Sequence, residues 1–153
     1  AEICGAGHGY MPIVIKAVSM DDYTAWVDAK MLAQAESKNT SDKVLTMEEL
    51  MTKGEKVYKS QCLVCHQANG QGLKGAFPAL AGSAVAVEKE QRLGHLHRII
   101  FGKVLMPAFG EQLSDVDIAA VTTYERNAWG NNTGDIVQAK EVAEARKAPN
   151  VLE

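Results

Sequence analysis

A five-residue stretch, Cys62-Leu63-Val64-Cys65-His66, constrains this chain more than any other feature of its sequence. Two cysteines three positions apart, followed directly by a histidine, form the C-x-x-C-H pattern of covalent c-type haem attachment. The spacing suits that chemistry, because two thiols can add to the two vinyl groups of one haem while the next residue offers its imidazole to the iron. We therefore expect a fold built around one haem c, with the cofactor supplying the redox chemistry.

Two other kinds of site use the same cysteine spacing. A redox-active dithiol is expected beside a β-α-β pattern, and no such pattern is evident around Cys62 and Cys65. A structural zinc site needs four ligands, and the chain has no second C-x-x-C or H-x-x-x-H pair. Both alternatives stay open, and haem attachment is favoured.

Length and charge exclude several classes of protein. The chain has 153 residues, which is enough for one domain with extensions. Its net charge of −3 argues against a nucleic-acid-binding protein, which would favour a basic patch. No apolar run approaches the roughly 18 residues of a membrane span. The chain opens at Ala1 with neither Met nor a basic leader, so we expect a mature chain or a fragment.

Sequence patterns divide the chain into four zones. Residues 1–36 contain a short β-branched run at 12–18 that predicts a strand, followed by a segment that Ser19 and Asp22 can cap as a helix. Residues 37–45 are polar and predict a linker. Residues 46–131 contain the haem pattern. Residues 132–153 form a tail in which residues 136–147 can make a short helix.

Three helices are expected in the 46–131 zone. Thr46 and Glu49 form a capping box for a helix that runs into Cys62. Apolar spacing predicts a second helix over 92–101, and Ser114 with Asp117 opens a third that ends near 129–130. A glycine-rich loop over 70–78 lacks the lysine and Ser/Thr of a phosphate loop, so we interpret it as backbone that approaches the porphyrin edge.

A low-spin electron carrier needs a second axial ligand opposite His66, and Met106 is our candidate. It lies 40 residues after His66, in a proline-bearing loop between two predicted helices. His95 and His97 are rival ligands on the preceding helix, and an adaptable core methionine is the other interpretation of Met106. Histidine–methionine ligation raises the reduction potential of a haem.

The ring nitrogen of a haem histidine that does not bind the iron usually donates its N–H to a carbonyl or carboxylate. Pro78 lies twelve residues after His66, at the end of the glycine-rich loop. We expect the Pro78 carbonyl to accept that hydrogen bond.

The zone over 46–131 resembles the class I cytochromes c. The matching positions are Gly54, Tyr58, Cys62, Cys65, His66, 77–82, 106–109 and 124–131. The resemblance implies a mainly α fold around one covalent haem, in which the first and last helices cross at the small residue Gly54. It implies electron transfer as the function, and a domain that is not an enzyme on its own.

The N-terminal zone resembles the binuclear copper (CuA) loop of cytochrome c oxidase subunit II. Glu2, Cys4, His8 and Met11 fall at the positions of copper-loop residues in the order of that family's pattern. The first bridging cysteine of the pattern would precede Ala1, and an earlier copper histidine is also missing. Both bridging thiolates are needed, so we expect no CuA centre in this chain; CuA belongs to the intact subunit. Residues 1–36 are then a short β remnant of a cupredoxin domain.

Taken together, the two zones resemble the C-terminal part of cytochrome c oxidase subunit II with a fused cytochrome c domain. They imply an electron relay to CuA, with the rest of the haem-copper oxidase as partner and a cytochrome or a quinol-oxidising complex as donor. The implied location is the periplasmic, outer face of the bacterial cytoplasmic membrane, with a membrane-bound parent and a soluble fragment. Nucleic acid is not an expected partner, and unpaired strands near the N-terminus could self-associate.

Two alternative functions come from other classes. A haem peroxidase would need an open or displaceable sixth iron position, and a dihaem peroxidase would show a second C-x-x-C-H, which the chain lacks. A copper-binding fragment would use Cys4, His8 and Met11. Metal analysis separates these alternatives from the electron carrier.

Overall fold

The computed structural model describes residues 15–39 and 43–152, and residues 33–39 by their backbone alone. The chain divides into two compact units, Ala1–Ala33 and Gln34–Glu153. Its described helices are α1 (Met20–Asn39), α2 (Met47–Val57), α3 (Leu63–His66), α4 (Ala84–Val87), α5 (Arg92–Phe101), α6 (Asp115–Asn127) and α7 (Ala139–Ala145), with a π-helical turn, Tyr58–Cys62, joining α2 to α3.

The mainly α-helical fold is confirmed. Among the described residues, β-pairing is limited to two isolated bridges, between Leu73 and Phe77 and between Lys103 and Met106. The strand predicted over 12–18 is absent over residues 15–18, and residues 12–14 lie outside the described ranges. The physical reason is that a β-branched run forms a stable strand only when a neighbouring strand takes up its backbone hydrogen bonds.

Helix α1 begins where its capping residue predicts. The Ser19 hydroxyl accepts a hydrogen bond from the Asp22 N–H at 3.1 Å. The helix continues to Asn39, through residues 37–39 that the polar composition favours as linker. Tyr23 and Trp26 stack on each other with ring centroids 6.1 Å apart, and both are exposed. No helix in the described ranges is both long and apolar enough to cross a membrane.

Helix α2 delivers the chain into the C-x-x-C-H segment. The Thr46 hydroxyl accepts from the Glu49 N–H at 3.2 Å, and the Glu49 carboxylate accepts from the Thr46 N–H at 2.9 Å, so the predicted capping box is confirmed. The chain then makes a wider, π-helical turn that ends at Cys62. The sequence did not predict this turn. Such turns are rare and occur frequently at functional sites.

The crossing of α2 and α6 holds the domain together. A Cβ built on Gly54 would lie 2.2 Å from the Ala120 carbonyl oxygen and 2.6 Å from the Tyr124 Cβ, so the two backbones touch at this point. One turn later Tyr58 packs against Tyr124 and Trp129, with ring centroids 5.6 and 4.7 Å apart. Only glycine allows this separation of the two helices.

The C-terminal stretch is part of the same core. Val137 and Val142 are 0% exposed and belong to the core cluster that includes Ile118 and Val121 of α6. The fully buried Arg126 guanidinium contacts the Asp135 carboxylate at 2.6 Å. Residues beyond the crossing helix therefore complete the packing around it, and the short helix α7 lies within the expected stretch 136–147.

Candidate functional site

The two cysteines and the histidine of the C-x-x-C-H segment lie together at the end of the α2–α3 helical run. Cys62 and His66 are buried, Cys65 is half-buried, and both thiols are free. Burial, and next the Glu125 carboxylate, raise the pKa of the Cys62 thiol far above its usual range. Cys62 is therefore a protonated thiol at neutral pH.

The ring of His66 is oriented by the glycine-rich loop. Its Nδ1 lies 2.9 Å from the Pro78 carbonyl oxygen. A carbonyl can only accept, so we assign the proton to Nδ1, which leaves the Nε2 lone pair available to a metal. This is the ring orientation that an iron-binding histidine needs.

The loop reaches His66 because Gly72 has no side chain. Its φ is +64°, and a Cβ there would lie 2.5 Å from the carbonyl oxygens of both Phe77 and Pro78. The Gly72 N–H also donates to the His66 carbonyl at 2.9 Å. The glycine-rich loop is therefore hydrogen-bonded to both the backbone and the ring of His66.

Gln67, directly after His66, has a backbone conformation that is almost confined to glycine. Its φ is 64° and its ψ is 165°. Such conformations cost on the order of 1–3 kcal/mol and persist only where the surroundings impose them. Here the Gln67 carbonyl accepts from the buried Tyr58 hydroxyl at 2.6 Å and from the Gly70 N–H at 3.1 Å. The sequence carried no signal for this strained position.

Met106 lies in a tight turn that follows α5. The Lys103 N–H donates to the Met106 carbonyl at 3.1 Å, and the Met106 N–H donates back to the Lys103 carbonyl at 2.9 Å. The side chain is half-buried and packs against the core cluster. Gly102 opens the turn with a φ of 73° and a ψ of 172°, and a Cβ there would lie 2.5 Å from the Met106 carbonyl oxygen.

Exposed apolar side chains flank the segments that carry these residues. Val64 is 53% exposed, Leu73 49%, Val104 94% and Leu105 80%. Single exposed apolar residues are ordinary, but these four are next to the cysteines, the glycine-rich loop and Met106. Together with two free thiols and a free imidazole nitrogen, this set of residues fits a largely apolar cofactor such as haem.

Protein groups engage both ring nitrogens of one rival histidine, His97, and one ring nitrogen of the other, His95. His97 is fully buried, its Nε2 lies 3.0 Å from the Ala145 carbonyl, and its Nδ1 accepts from the Val151 N–H at 3.1 Å. His95 Nε2 lies 2.7 Å from the Glu125 carboxylate. The copper-loop positions Glu2, Cys4, His8 and Met11 lie outside the described residues.

Sequence reasoning missed Glu125, which is buried beside Cys62. A signal was present, because Ile118, Val121 and Glu125 follow the i, i+3, i+7 spacing of one helix face. A charged residue on an otherwise apolar stripe indicates a buried partner, here His95. The identity of that partner could not be read from spacing, because it lies 30 residues away on another helix.

Comparison with known proteins gives four findings. Residues 49–124 match the family described as cytochrome c oxidase, cbb3-type, subunit III. Cytochrome c-552 of Thermus thermophilus is 38% identical over 92 residues, which are 51% of this chain and 69% of that protein. The cytochrome c subunit of gluconate 2-dehydrogenase from Pantoea cypripedii is 29% identical over 158 residues, covering 90% of this chain and 35% of that subunit. Cytochrome c oxidase subunit 2 of Cyanidium caldarium is 66% identical over 32 residues, 21% of this chain and 12% of that protein.

Coverage differs widely among these relatives. The chain spans 35% of the length of the gluconate dehydrogenase subunit and 12% of the length of the oxidase subunit. It covers most of cytochrome c-552.

Proposed function

We propose that this chain, which belongs to the cytochrome c family, carries one haem c and transfers electrons one at a time. A cytochrome c domain is a module of haem-mediated electron transfer, and it occurs in the gluconate dehydrogenase relative as a subunit. The observation that carries the proposal is the His66 ring, held at 2.9 Å from the Pro78 carbonyl beside two free thiols. When bound, the haem supplies Fe(III)/Fe(II) chemistry.

The residues of the site have separate roles in this proposal. Cys62 and Cys65 would hold the haem covalently through their thiols, and His66 and Met106 would bind its iron. The Pro78 carbonyl fixes the ring of His66 and increases its basicity as a ligand. Methionine ligation raises the reduction potential, which suits a carrier near the oxidising end of a respiratory chain.

Replacing Met106 by alanine tests the ligand assignment. Wild-type ferric protein is expected to show the weak far-red band of a sulfur–iron bond, and Met106→Ala is expected to lose it completely and to have a lower reduction potential, because a thioether favours Fe(II). Absorption spectra of the oxidised and reduced proteins and a potentiometric titration measure both effects.

Met51→Ala is the matched control. Met51 is half-buried on α2, outside the proposed site, so its loss is expected to leave the far-red band in place. A band that persists in Met106→Ala would show that another side chain binds the iron.

Gly102→Ala tests whether the turn positions Met106. The new Cβ would meet backbone atoms at 2.5 and 2.8 Å, in a conformation that costs on the order of 1–3 kcal/mol for other residues. We expect a loss of stability of about 3 kcal/mol, from strain and displacement together, and a weakened far-red band. Urea unfolding and the ferric spectrum measure these.

Gly82→Ala is the control for Gly102→Ala, because it introduces backbone strain without displacing the turn that carries Met106. Gly82 also has a positive φ, +67°, but no atom lies within 4 Å of its ideal Cβ. It is expected to lose stability without any change in the far-red band. An equal loss of the band in both variants would contradict a specific role for Gly102.

The proposed direction of transfer is toward a CuA centre in a haem-copper oxidase. Two observations support it: the match of 32 residues to an oxidase subunit 2, and the copper-loop order of Glu2, Cys4, His8 and Met11. The proposed partners are the rest of the oxidase and a cytochrome or quinol-oxidising donor complex. The proposed location is the periplasmic face of the bacterial membrane.

A second candidate is the electron-accepting subunit of a dehydrogenase. The similarity to the gluconate 2-dehydrogenase cytochrome subunit, which covers 90% of this chain, favours it. Elemental analysis of the intact polypeptide that contains this chain distinguishes the two. Two copper ions for each covalent haem support the oxidase relay, whereas haem iron without copper contradicts it and supports the dehydrogenase.

A further inference from the structure

Residues 102–114, which we call the methionine loop, join α5 to α6 and include Met106. Beyond Met106 the loop is tied to the end of α5, where the Gly110 N–H donates to the Ile100 carbonyl at 3.0 Å. Loops are generally held less firmly than the helices they connect. The position of an iron ligand on this loop therefore depends on what else holds the loop in place.

The Arg146 guanidinium lies across the far end of the methionine loop. Its Nη1 donates to the Gly110 carbonyl at 2.7 Å, its Nη2 to the Leu113 carbonyl at 3.1 Å, and its Nε to the Asp115 carboxylate at 2.6 Å. Hydrogen bonds from a charged donor are stronger than those between neutral groups, and the planar guanidinium serves several acceptors in a fixed geometry. One side chain therefore ties two carbonyls of the loop to the first residue of α6.

Glycine at position 110 leaves room for this guanidinium. A Cβ built on Gly110 would lie 3.1 Å from the Arg146 Nη1 and 2.8 Å from the Ile100 carbonyl oxygen. A side chain there would press against the guanidinium and against α5 at the same time. The loop thus approaches both of its partners as closely as glycine allows.

Arg146 follows directly after a helix that is fixed in the core. Val142 and Ala145 of α7 are buried. The His97 Nε2 on α5 lies 3.0 Å from the Ala145 carbonyl, and the His97 Nδ1 accepts from the Val151 N–H at 3.1 Å. Since a carbonyl only accepts, one neutral His97 ring holds the backbone on both sides of Arg146. The guanidinium is therefore presented to the loop from a fixed backbone.

The same C-terminal segment also reaches the start of the methionine loop. The Lys103 Nζ donates to the Leu152 carbonyl at 3.3 Å. Lys103 is paired with Met106 through both of its backbone groups, at N···O distances of 3.1 and 2.9 Å. Residues after α7 therefore contact the loop on both sides of Met106, at Lys103 before it and at Gly110 after it.

We propose that Arg146 is a positioning residue for the second iron ligand, which keeps the methionine loop attached so that Met106 stays on the iron. The inference rests on the proposed function, in which Met106 binds the haem iron. Detachment of the loop would withdraw Met106 and expose the iron to an added ligand. The apparent affinity for that ligand is then proportional to the fraction of molecules whose loop is detached.

A second arginine in a closely similar setting provides the matched control. Arg92, the first residue of α5, donates to the Glu141 carboxylate from Nε and Nη2, both at 2.6 Å, and to the Ile136 carbonyl at 2.7 Å. The exposed fraction of the side chain is 25% for Arg92 and 26% for Arg146. Neither hydrogen-bond partner of Arg92 belongs to the methionine loop, so the two arginines differ mainly in what they hold.

The test compares Arg146→Met with Arg92→Met in the haem-loaded chain, by titrating the ferric proteins with imidazole. Imidazole takes the place of the Met106 thioether on the iron, and loss of the far-red sulfur–iron band reports the exchange. Arg146→Met is expected to bind imidazole about tenfold more tightly than wild type, because losing hydrogen bonds from a charged donor shifts an equilibrium by at least that factor. Arg92→Met is expected to keep the wild-type affinity.

Amide hydrogen exchange gives a second readout, which does not require the haem. The N–H groups of Phe109 and Gly110 donate to carbonyls of α5 at 2.9 and 3.0 Å, and detachment of the loop breaks both bonds. In Arg146→Met these two amides are expected to exchange faster relative to the amide of Val121, in the buried part of α6. In Arg92→Met that ratio is expected to stay at its wild-type value.

Arg146→Lys is the milder second variant, should Arg146→Met fail to fold. It keeps a positive charge beside Asp115 but has a single ammonium group in place of the planar fork, so it is also expected to bind imidazole more tightly than wild type. Wild-type imidazole affinity in every Arg146 variant that folds would overturn the inference, and so would an equal gain in Arg92→Met. A wild-type chain without covalent haem would instead overturn the proposed function, and the exchange rates at positions 109 and 110 would still decide whether Arg146 holds the loop.

Discussion

Replacement of both Cys62 and Cys65 by serine is expected to remove all covalently held haem. The described residues contain no other free thiol. A serine hydroxyl is a much weaker nucleophile than a thiol, so it is not expected to add to a haem vinyl group. Serine at position 62 is similar in size to cysteine, so the buried site keeps its packing. Extraction with acidified organic solvent, followed by absorbance of the protein fraction, measures the retained haem.

The two single variants are the controls for this result. Cys62→Ser and Cys65→Ser each keep one thiol and are expected to retain haem through a single thioether, with the α-band of the reduced protein shifted toward that of a haem with one free vinyl. Haem that resists extraction from the double variant would contradict attachment at these cysteines.

Gly54→Ala is expected to destabilise the protein by about 3 kcal/mol or more, a large share of the roughly 5–15 kcal/mol that holds a domain folded. Its Cβ would lie 2.2 Å from the Ala120 carbonyl oxygen and 2.6 Å from the Tyr124 Cβ. Neither atom can move by a rotamer change, so α2 and α6 must separate. Urea unfolding followed by circular dichroism measures the loss of stability.

Gly94→Ala is the matched helical control. Its nearest neighbour would be the Arg98 guanidinium at 2.9 Å, the flexible end of a half-buried side chain. Alanine also gains about 1 kcal/mol of helix propensity over glycine, so a small net effect is expected. Equal effects at positions 54 and 94 would show that the crossing of α2 and α6 is not limited by Gly54.

Local patterns predicted the helices of the haem zone well. The capping boxes at Thr46 and Ser114 are present in the structure, and α5 spans the predicted residues, Arg92–Phe101. Caps and apolar spacing act within one or two turns of chain, so the information they need is contiguous in the sequence.

The two errors have different physical causes. The run at 12–18 has the β-branched composition of a strand, but residues 15–18 form none, since composition does not supply a pairing partner. The short helix α4 was not predicted, although Ser83 caps it with a hydrogen bond from the Ala86 N–H at 3.3 Å. One turn of helix is too short for a periodic apolar pattern to show.

By itself, the sequence determined the chemistry that this chain can offer: two thiols and an imidazole at the spacing for haem c, a methionine in a loop 40 residues later, and the helices that carry them. Tertiary structure decided how those groups are held and what surrounds them. Only folding brings the Pro78 carbonyl to His66, the Ala120 backbone to Gly54, and Glu125 to both Cys62 and His95. The physical reason is that covalent spacing is a local property, whereas burial and hydrogen-bond partners depend on contacts between residues far apart in the chain.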